Sequence, residues 1–466
     1  MSMSDSFIHD LRQALGDDQL LVHEQIEPRY KTDWSKASVC EPVAVVRPRS
    51  TEAVSAALKV CHAHGHPVTV QGGMTGLVGA SQANDGDVVM SLEFLNGVQE
   101  IDATASCMTV WAGTPLQLVQ EAAQAAGLYF AVDLGARGSC QVGGNIATNA
   151  GGNRVIRYGM MREQVLGLEV VLADGTIVTS LNKMLKNNAG YDVKQLFIGS
   201  EGTLGVITRA VLRLHAMPTE TTTVLCALAH QDAMVSFLRR VRSMAGPSLL
   251  AFEVMWPDFF SFMTERVPGN VSPFERSDVM AVLLEVATGD AGLANDVLEG
   301  LLESALDAGE LTDAAIAQSG KQADAFWRIR DSVSEFPLLF APYASFDVSL
   351  PIQSVCEFVT TLKSQLAKDM ACAQSLFFGH IGDSNLHIVV HVPGPRQTFP
   401  KDAIDAAVYE LVKQYHGSVS AEHGIGTRKK PWLGYSRSPA EIEVMKVIKK
   451  ALDPGQILNR GRVIDF

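Results

Sequence analysis

Asp133-Leu-Gly-Ala-Arg-Gly-Ser-Cys-Gln-Val-Gly-Gly-Asn-Ile-Ala-Thr-Asn-Ala-Gly-Gly152 crowds small residues and hydroxyl or amide donors into twenty positions. Residues without a Cβ let the main chain approach a ligand closely, and several backbone N–H groups aimed at one point make an anion-binding concavity. A second glycine loop lies upstream, Val70-Gln-Gly-Gly-Met-Thr-Gly-Leu-Val-Gly-Ala80, directly after a run that reads as a strand. Alone, that loop reads better as a turn that only packs. It is not G-x-G-x-x-G and lacks the Gly-Lys-Ser/Thr ending of a P-loop, so Rossmann-type nicotinamide binding and phosphoryl transfer both lose support. One flavin or dinucleotide would need both loops.

Around these loops, residues 43–47 read as a strand, 51–64 as a helix and 67–70 as a strand. Thr51 is the expected N-cap, Glu52 sits in the first turn and Gly65 follows the end. Strand, helix, strand and glycine loop make a nucleotide-binding texture. From about Met217 glycine thins out and helical periodicity appears at 233–245, 291–306 and 353–369, with strand candidates at 279–286, 346–350 and 388–392. Residues 439–452 return to helix. The expected division is 1–216 (core about 38–216), of α/β or α+β texture, 217–415, α+β, and 416–466, a helical C-terminal segment.

The chain has 466 residues, 47% hydrophobic and 19% charged, which excludes disorder and collagen-like structure. A formal net charge of −13 without a basic run leaves no footprint for nucleic acid. Seven scattered cysteines without a C-x-x-C pair suit a reducing compartment rather than a disulfide framework. The N-terminal residues lack a signal-peptide pattern, and no stretch reaches ~18 apolar residues, so no transmembrane segment is expected. The expected location is the cytoplasm of a bacterial-type cell, or the mitochondrial matrix in a eukaryote.

A second constellation is His380-Ile-Gly-Asp-Ser-Asn-Leu-His387, followed by Ser420-Ala-Glu-His-Gly-Ile-Gly426. Two imidazoles and a carboxylate are a ligand set for a catalytic divalent metal; the alternative is histidines in ordinary core or surface roles. Gly382-Asp-Ser-Asn is a turn signal, so His380 and His387 are expected to end adjacent strands and face each other across a hairpin. A carboxylate substrate calls for a guanidinium, and Phe326-Trp-Arg-Ile-Arg330 offers two on opposite faces of a helix.

The loop at 133–152, its continuation through Arg157-Tyr-Gly159 and Val165-Leu-Gly-Leu-Glu-Val-Val-Leu-Ala-Asp-Gly175, and Gly190-Tyr-Asp-Val-Lys-Gln-Leu-Phe-Ile-Gly-Ser-Glu-Gly-Thr-Leu-Gly205 resemble the FAD domain of the vanillyl-alcohol oxidase and p-cresol methylhydroxylase superfamily. Within it, the resemblance is to the D-2-hydroxyglutarate and D-lactate dehydrogenase branch. It runs from Tyr30-Lys-Thr-Asp-Trp34 to Asp453-Pro-Gly-Gln-Ile-Leu-Asn459 and is weakest between about 217 and 320. It implies an α+β fold: a two-subdomain FAD-binding domain, an α+β substrate domain and a C-terminal helical segment returning to the flavin.

By the same resemblance, Gly72, Gly73, Thr75 and Gly76 hold the FAD pyrophosphate. Gly138, Ser139, Gly143, Gly144, Asn145, Thr148 and Asn149 line the flavin and its linker. Gly205, Val206 and Ile207 meet the adenine side, and Asn459 closes over the isoalloxazine. Met74 stands in the phosphate loop where the family often has Asn. No His or Cys stands where some members tether flavin covalently, so FAD is expected to be noncovalent. His380, His387 and Glu422 match the ligands of a divalent ion, zinc or manganese, and His423 matches the active-site base. In the chemistry this implies, the ion binds the substrate hydroxyl and carboxylate, His423 takes the proton and hydride passes to flavin N5.

Arg330 and Asn385 are the family-matched substrate contacts. Ser345, in Tyr343-Ala-Ser-Phe-Asp-Val-Ser-Leu-Pro351, stands where many relatives carry a lysine for a second carboxylate, which opens D-lactate beside D-2-hydroxyglutarate. The expected electron acceptor is not NAD but an electron-transfer flavoprotein or quinone, and a homodimer is a family expectation. Two alternatives stay open: an oxidase using oxygen, and an accessory flavin-binding subunit of a glycolate-oxidase-like complex.

Overall fold

The buried triplet Ala44–Val46 pairs in parallel with Val88–Ser91, which pairs in parallel on its other side with Val68–Gln71. Burial of both faces explains why these strands read as continuous apolar runs rather than alternating ones. In this computed structural model, residues 3–34, 39–218, 220–288, 291–370 and 372–466 are described; the expected start of the flavin core at 38 lies outside them. The chain forms two compact units, one of residues 1–152, 158–217 and 422–466, the other of 153–157 and 218–421.

In the first unit, the helix Thr51–His64 links two parallel strands. Its N-cap is Ser50, whose hydroxyl accepts from the Ala53 amide, rather than the expected Thr51. Thr51 donates instead to Glu169, a buried carboxylate that Arg209 also grips. A buried carboxylate needs partners, and that need recruits the threonine. Gly65 ends the helix at φ 65° in the left-handed region. A second, antiparallel sheet runs in the order Val98–Asp102, Cys107–Trp111, Val206–Arg213, Val165–Val171, Ile177–Ser180. Val68, Met90, Val110, Leu168, Val170 and Leu212 join one apolar core with residues from both sheets.

The second unit is built on a seven-stranded antiparallel sheet, ordered Leu311–Ile316, Glu220–Leu228, Met280–Thr288, Leu249–Met255, Gln374–Gly379, Asn385–His391, Tyr343–Ser349. The helix expected at 353–369 starts at Val355 after a 3-10 turn, whereas Ala233–Ala245 and Pro439–Leu452 have the expected bounds. Phe259, Phe260, Phe336 and Phe340 pack against Phe378 and Val389 of the sheet, with Phe259 stacked on Phe378 at 4.3 Å. Each such ring contributes ~1.5–3 kcal/mol through burial, which makes this face a rigid floor. Among the described residues no helix is long and apolar enough to cross a membrane.

Candidate active site

In the first unit the two glycine loops abut. A Cβ on Gly73 would lie 2.0 Å from the Ser139 carbonyl oxygen and 2.8 Å from Cys140 Cα, so only glycine permits this backbone approach. Gly143 is equally constrained: its Cβ would meet the Ala112 methyl at 2.7 Å. Gly72 lies next to Gln141, while Gly76 and Gly144 face open space, with nothing within 4 Å of a built Cβ. Gly143, Gly144 and Asn145 lie in the short helix Val142–Ala147, and the Thr148 hydroxyl donates to the Gly144 carbonyl. Met74, at φ 57°, accepts from the Trp34 amide through its carbonyl. Thr75 sits in the same loop, and Gly138 and Ser139 are exposed on the other.

Five of the residues expected at the flavin also make contacts within the protein. Asn149 accepts from the Arg162 amide through Oδ1. Val206 and Ile207 are buried and begin a sheet strand, and Gly205 leaves room for Val170 and Phe197. Asn459 has both side-chain atoms engaged: Oδ1 accepts from the Val70 amide and Nδ2 donates to the Glu201 carbonyl at 2.6 Å.

Glu201 is a residue that motif reading passed over. At φ 53° it sits buried in a turn, and its carboxylate accepts from the amides of Ile425 at 2.6 Å and Gly426 at 2.8 Å. Burial pushes its carboxyl up, and the two amides counter that. It therefore holds the strip that follows Glu422 and His423. A side chain on Gly424 would strike it at 2.7 Å. Glu422 and His423 are half-buried, and Glu422 accepts from the Gly152 amide at 3.3 Å.

In the second unit His380 follows strand Gln374–Gly379 and His387 lies in the paired strand Asn385–His391, opposite Phe378. The rings stand nearly perpendicular with centroids 5.3 Å apart, so the turn does bring the two imidazoles together. Arg330 and Arg328 diverge as the helix periodicity requires. Arg328 reaches Asn270 and the Gly269 carbonyl, whereas Arg330 is buried over Phe378.

Between Arg330 and His380 lies Glu253, on the interior strand Leu249–Met255 and only 1% exposed. Its Oε1 is 2.5 Å from His380 Nδ1 and its Oε2 2.8 Å from Arg330 Nε, while Arg330 Nη2 lies 3.1 Å from His380 Nε2. Burial pushes the Glu253 carboxyl up, but its contacts with His380 and Arg330 outweigh it and hold it well below the usual carboxylate range.

Asp347, paired in register with His387 and fully buried, accepts from Asn385 Nδ2 at 2.7 Å and from the Ala421 amide at 3.2 Å. The amide of Asn385 also reaches the Val348 carbonyl; both partners are acceptors, which assigns Nδ2. Asn385 Oδ1 is thereby left buried with no partner among the described residues. Ser345 is exposed on the same strand, opposite Val389 and within the Leu376 row. His391 is tied to the Pro342 carbonyl. No sequence motif singled out Glu253 or Asp347; Phe252-Glu-Val254 and Phe346-Asp-Val348 read as an acidic residue between apolar strand neighbours.

Comparison with known proteins accords with this architecture. Residues 42–180 match the family described as FAD binding domain, and residues 217–463 match that described as FAD linked oxidases, C-terminal domain. A D-2-hydroxyglutarate dehydrogenase of Xanthomonas citri pv. viticola is 37% identical, over 99% of this chain and 98% of its own. The mitochondrial D-2-hydroxyglutarate dehydrogenase of Bos taurus is 36% identical, over 95% of this chain and 80% of its own. Among solved structures, p-cresol methylhydroxylase with bound substrate superposes with a TM-score of 0.78 at 16% identity, covering 100% of this chain and 98% of that one. The 4-ethylphenol oxidase of Gulosibacter chungangensis gives 0.75 at 18%, covering 99% and 97%. Fold and sequence thus define an FAD-dependent dehydrogenase. The chain belongs to the FAD-linked oxidases, in the branch of these D-2-hydroxyglutarate dehydrogenase relatives, and shares the fold of p-cresol methylhydroxylase.

Proposed function

We propose that the chain oxidises a D-2-hydroxy acid to the 2-oxo acid with divalent-metal assistance, and passes the electrons to an acceptor other than NAD, such as an electron-transfer flavoprotein or quinone. The buried ring of Arg330, Glu253 and His380 carries this reading, because it sets a carboxylate-binding guanidinium beside a metal-ligating imidazole.

FAD fits the loops that abut at Gly73 and Ser139 and stay open at Gly76 and Gly144. A divalent zinc or manganese ion suits the His380 and His387 imidazoles, with the Glu422 carboxylate completing the set by family match. Asn385 supports a ligand there as well: its buried, unpartnered Oδ1 is an acceptor that a substrate donor would satisfy.

When bound, FAD supplies the hydride acceptor, and the ion supplies Lewis acidity that lowers the hydroxyl pKa. Arg330 is the guanidinium that holds the substrate carboxylate. Asn385 is the next substrate contact by family match. His423 takes the hydroxyl proton, a task imidazole performs near neutral pH without tuning. D-2-Hydroxyglutarate is the substrate named for the relatives. Ser345 favours a second reading, a neutral tail such as that of D-lactate, since its cross-strand neighbour is Val389 and no cation stands at that position.

The deciding experiment is anaerobic bleaching of the flavin band with D- and L-lactate, D- and L-2-hydroxyglutarate and D-malate, before and after chelation. Bleaching by a D-acid that chelation abolishes is expected. Bleaching that survives chelation removes the metal, and FAD-loaded protein inert to every acid points to an accessory subunit.

A further inference from the structure

We infer that Glu253 is a positioning residue that serves both halves of substrate recognition at once: it sets the tautomer in which His380 presents Nε2 as a lone pair, and it aims the Arg330 guanidinium. The inference rests on the proposed metal and carboxylate site and deepens it.

The tautomer follows from donor counting. A guanidinium has N–H donors and no acceptor. With Arg330 Nη2 3.1 Å from His380 Nε2, that nitrogen must accept, so Nδ1 carries the proton and donates it to Glu253 Oε1 at 2.5 Å. A histidine that ligates a metal usually donates its other ring N–H to a carboxylate, which orients the ring and raises its basicity. The second oxygen of the same carboxylate, 2.8 Å from Arg330 Nε, fixes the guanidinium at that nitrogen. Strand Leu249–Met255 lies between strands Met280–Thr288 and Gln374–Gly379 in the sheet, so the carboxylate has little freedom to move.

One carboxylate offers two acceptor oxygens, and both are used. Glutamine offers one acceptor and one donor in the same shape. Its carbonyl can face the His380 Nδ1–H or the Arg330 Nε–H, and its NH2 then opposes the other donor. Glu253→Gln therefore cannot serve both partners, whereas Glu253→Asp keeps both acceptors but retracts them by one methylene.

The test uses FAD-loaded, metal-stripped protein with Zn2+ as the probe, titrated against a chromogenic chelator, together with the KM and kcat for the best hydroxy acid. Glu253→Gln is expected to weaken Zn2+ binding ~10–100-fold and to raise KM, with FAD content unchanged. Glu253→Asp is expected to recover part of both effects, and its retained charge keeps the test available if the Gln protein does not fold. A purely structural carboxylate would lower thermal stability and leave Zn2+ affinity and KM untouched; that pattern overturns the inference. Wild-type protein with no affinity for Zn2+ or Mn2+ overturns the metal reading and this inference together. Tight binding in the wild type with equal binding in both variants overturns the inference alone.

Discussion

The two units build their proposed ligand sites by opposite means. The flavin loops are backbone: Gly73, Gly143 and Gly76 matter for the side chains they lack, and the close approach of Gly73 to Ser139 leaves no room for a methyl group. The substrate unit is side chain: His380, His387 and Asn385 stand on or beside sheet strands and Arg330 on a helix, and two buried carboxylates, Glu253 and Asp347, hold Arg330, His380 and Asn385. A backbone cradle tolerates changes in nearby side chains but not an added Cβ. A side-chain site tolerates small shifts of backbone but not a lost hydrogen-bond partner.

The largest effect should come from Gly73→Ala. A Cβ 2.0 Å from a backbone oxygen cannot be relieved by a rotamer change, so the cost exceeds the ~1–3 kcal/mol of ordinary overpacking. Purified protein is expected to lack the flavin band and to melt early; a variant with full FAD occupancy would break the contrast between the units. Next comes His423→Ala, which should keep FAD and slow flavin reduction by D-acid ~10²–10⁴-fold, as read by stopped-flow absorbance. Retained reduction would remove His423 from the base role. The smallest is Ser345→Lys, placed on an exposed strand position where the backbone need not move. It should raise the ratio of kcat/KM for D-2-hydroxyglutarate over D-lactate by about tenfold, the ~1.5 kcal/mol of one charge-assisted hydrogen bond. An unchanged ratio would show that this position does not read the substrate tail.

Glu201 sharpens the comparison from the other side, because it is a side chain doing in the flavin unit what Glu253 does in the substrate unit. It gathers the amides of Ile425 and Gly426 and, through its carbonyl, the Asn459 carboxamide. Asn459, expected at the isoalloxazine, also braces Val70 and Glu201 through its side chain, and those partners come from chain segments hundreds of positions away. The N-cap at Ser50 teaches the same lesson on a small scale: Ser50 and Thr51 are both acceptable caps, and the buried Glu169 draws the threonine away.

By itself the sequence determined that a glycine loop follows a strand, that an Asp-Ser-Asn turn joins two histidines, and that Arg328 and Arg330 face apart. These are properties of spacing, φ freedom and side-chain period, which act within a few residues. Tertiary structure alone decided that Glu253 meets His380 across 127 positions and that Glu201 meets Ile425 across 224. On paper each is one acidic residue among apolar or glycine neighbours. Strand order and register bury it beside a particular donor, and the cost of an unpaired buried charge then makes that pairing obligatory.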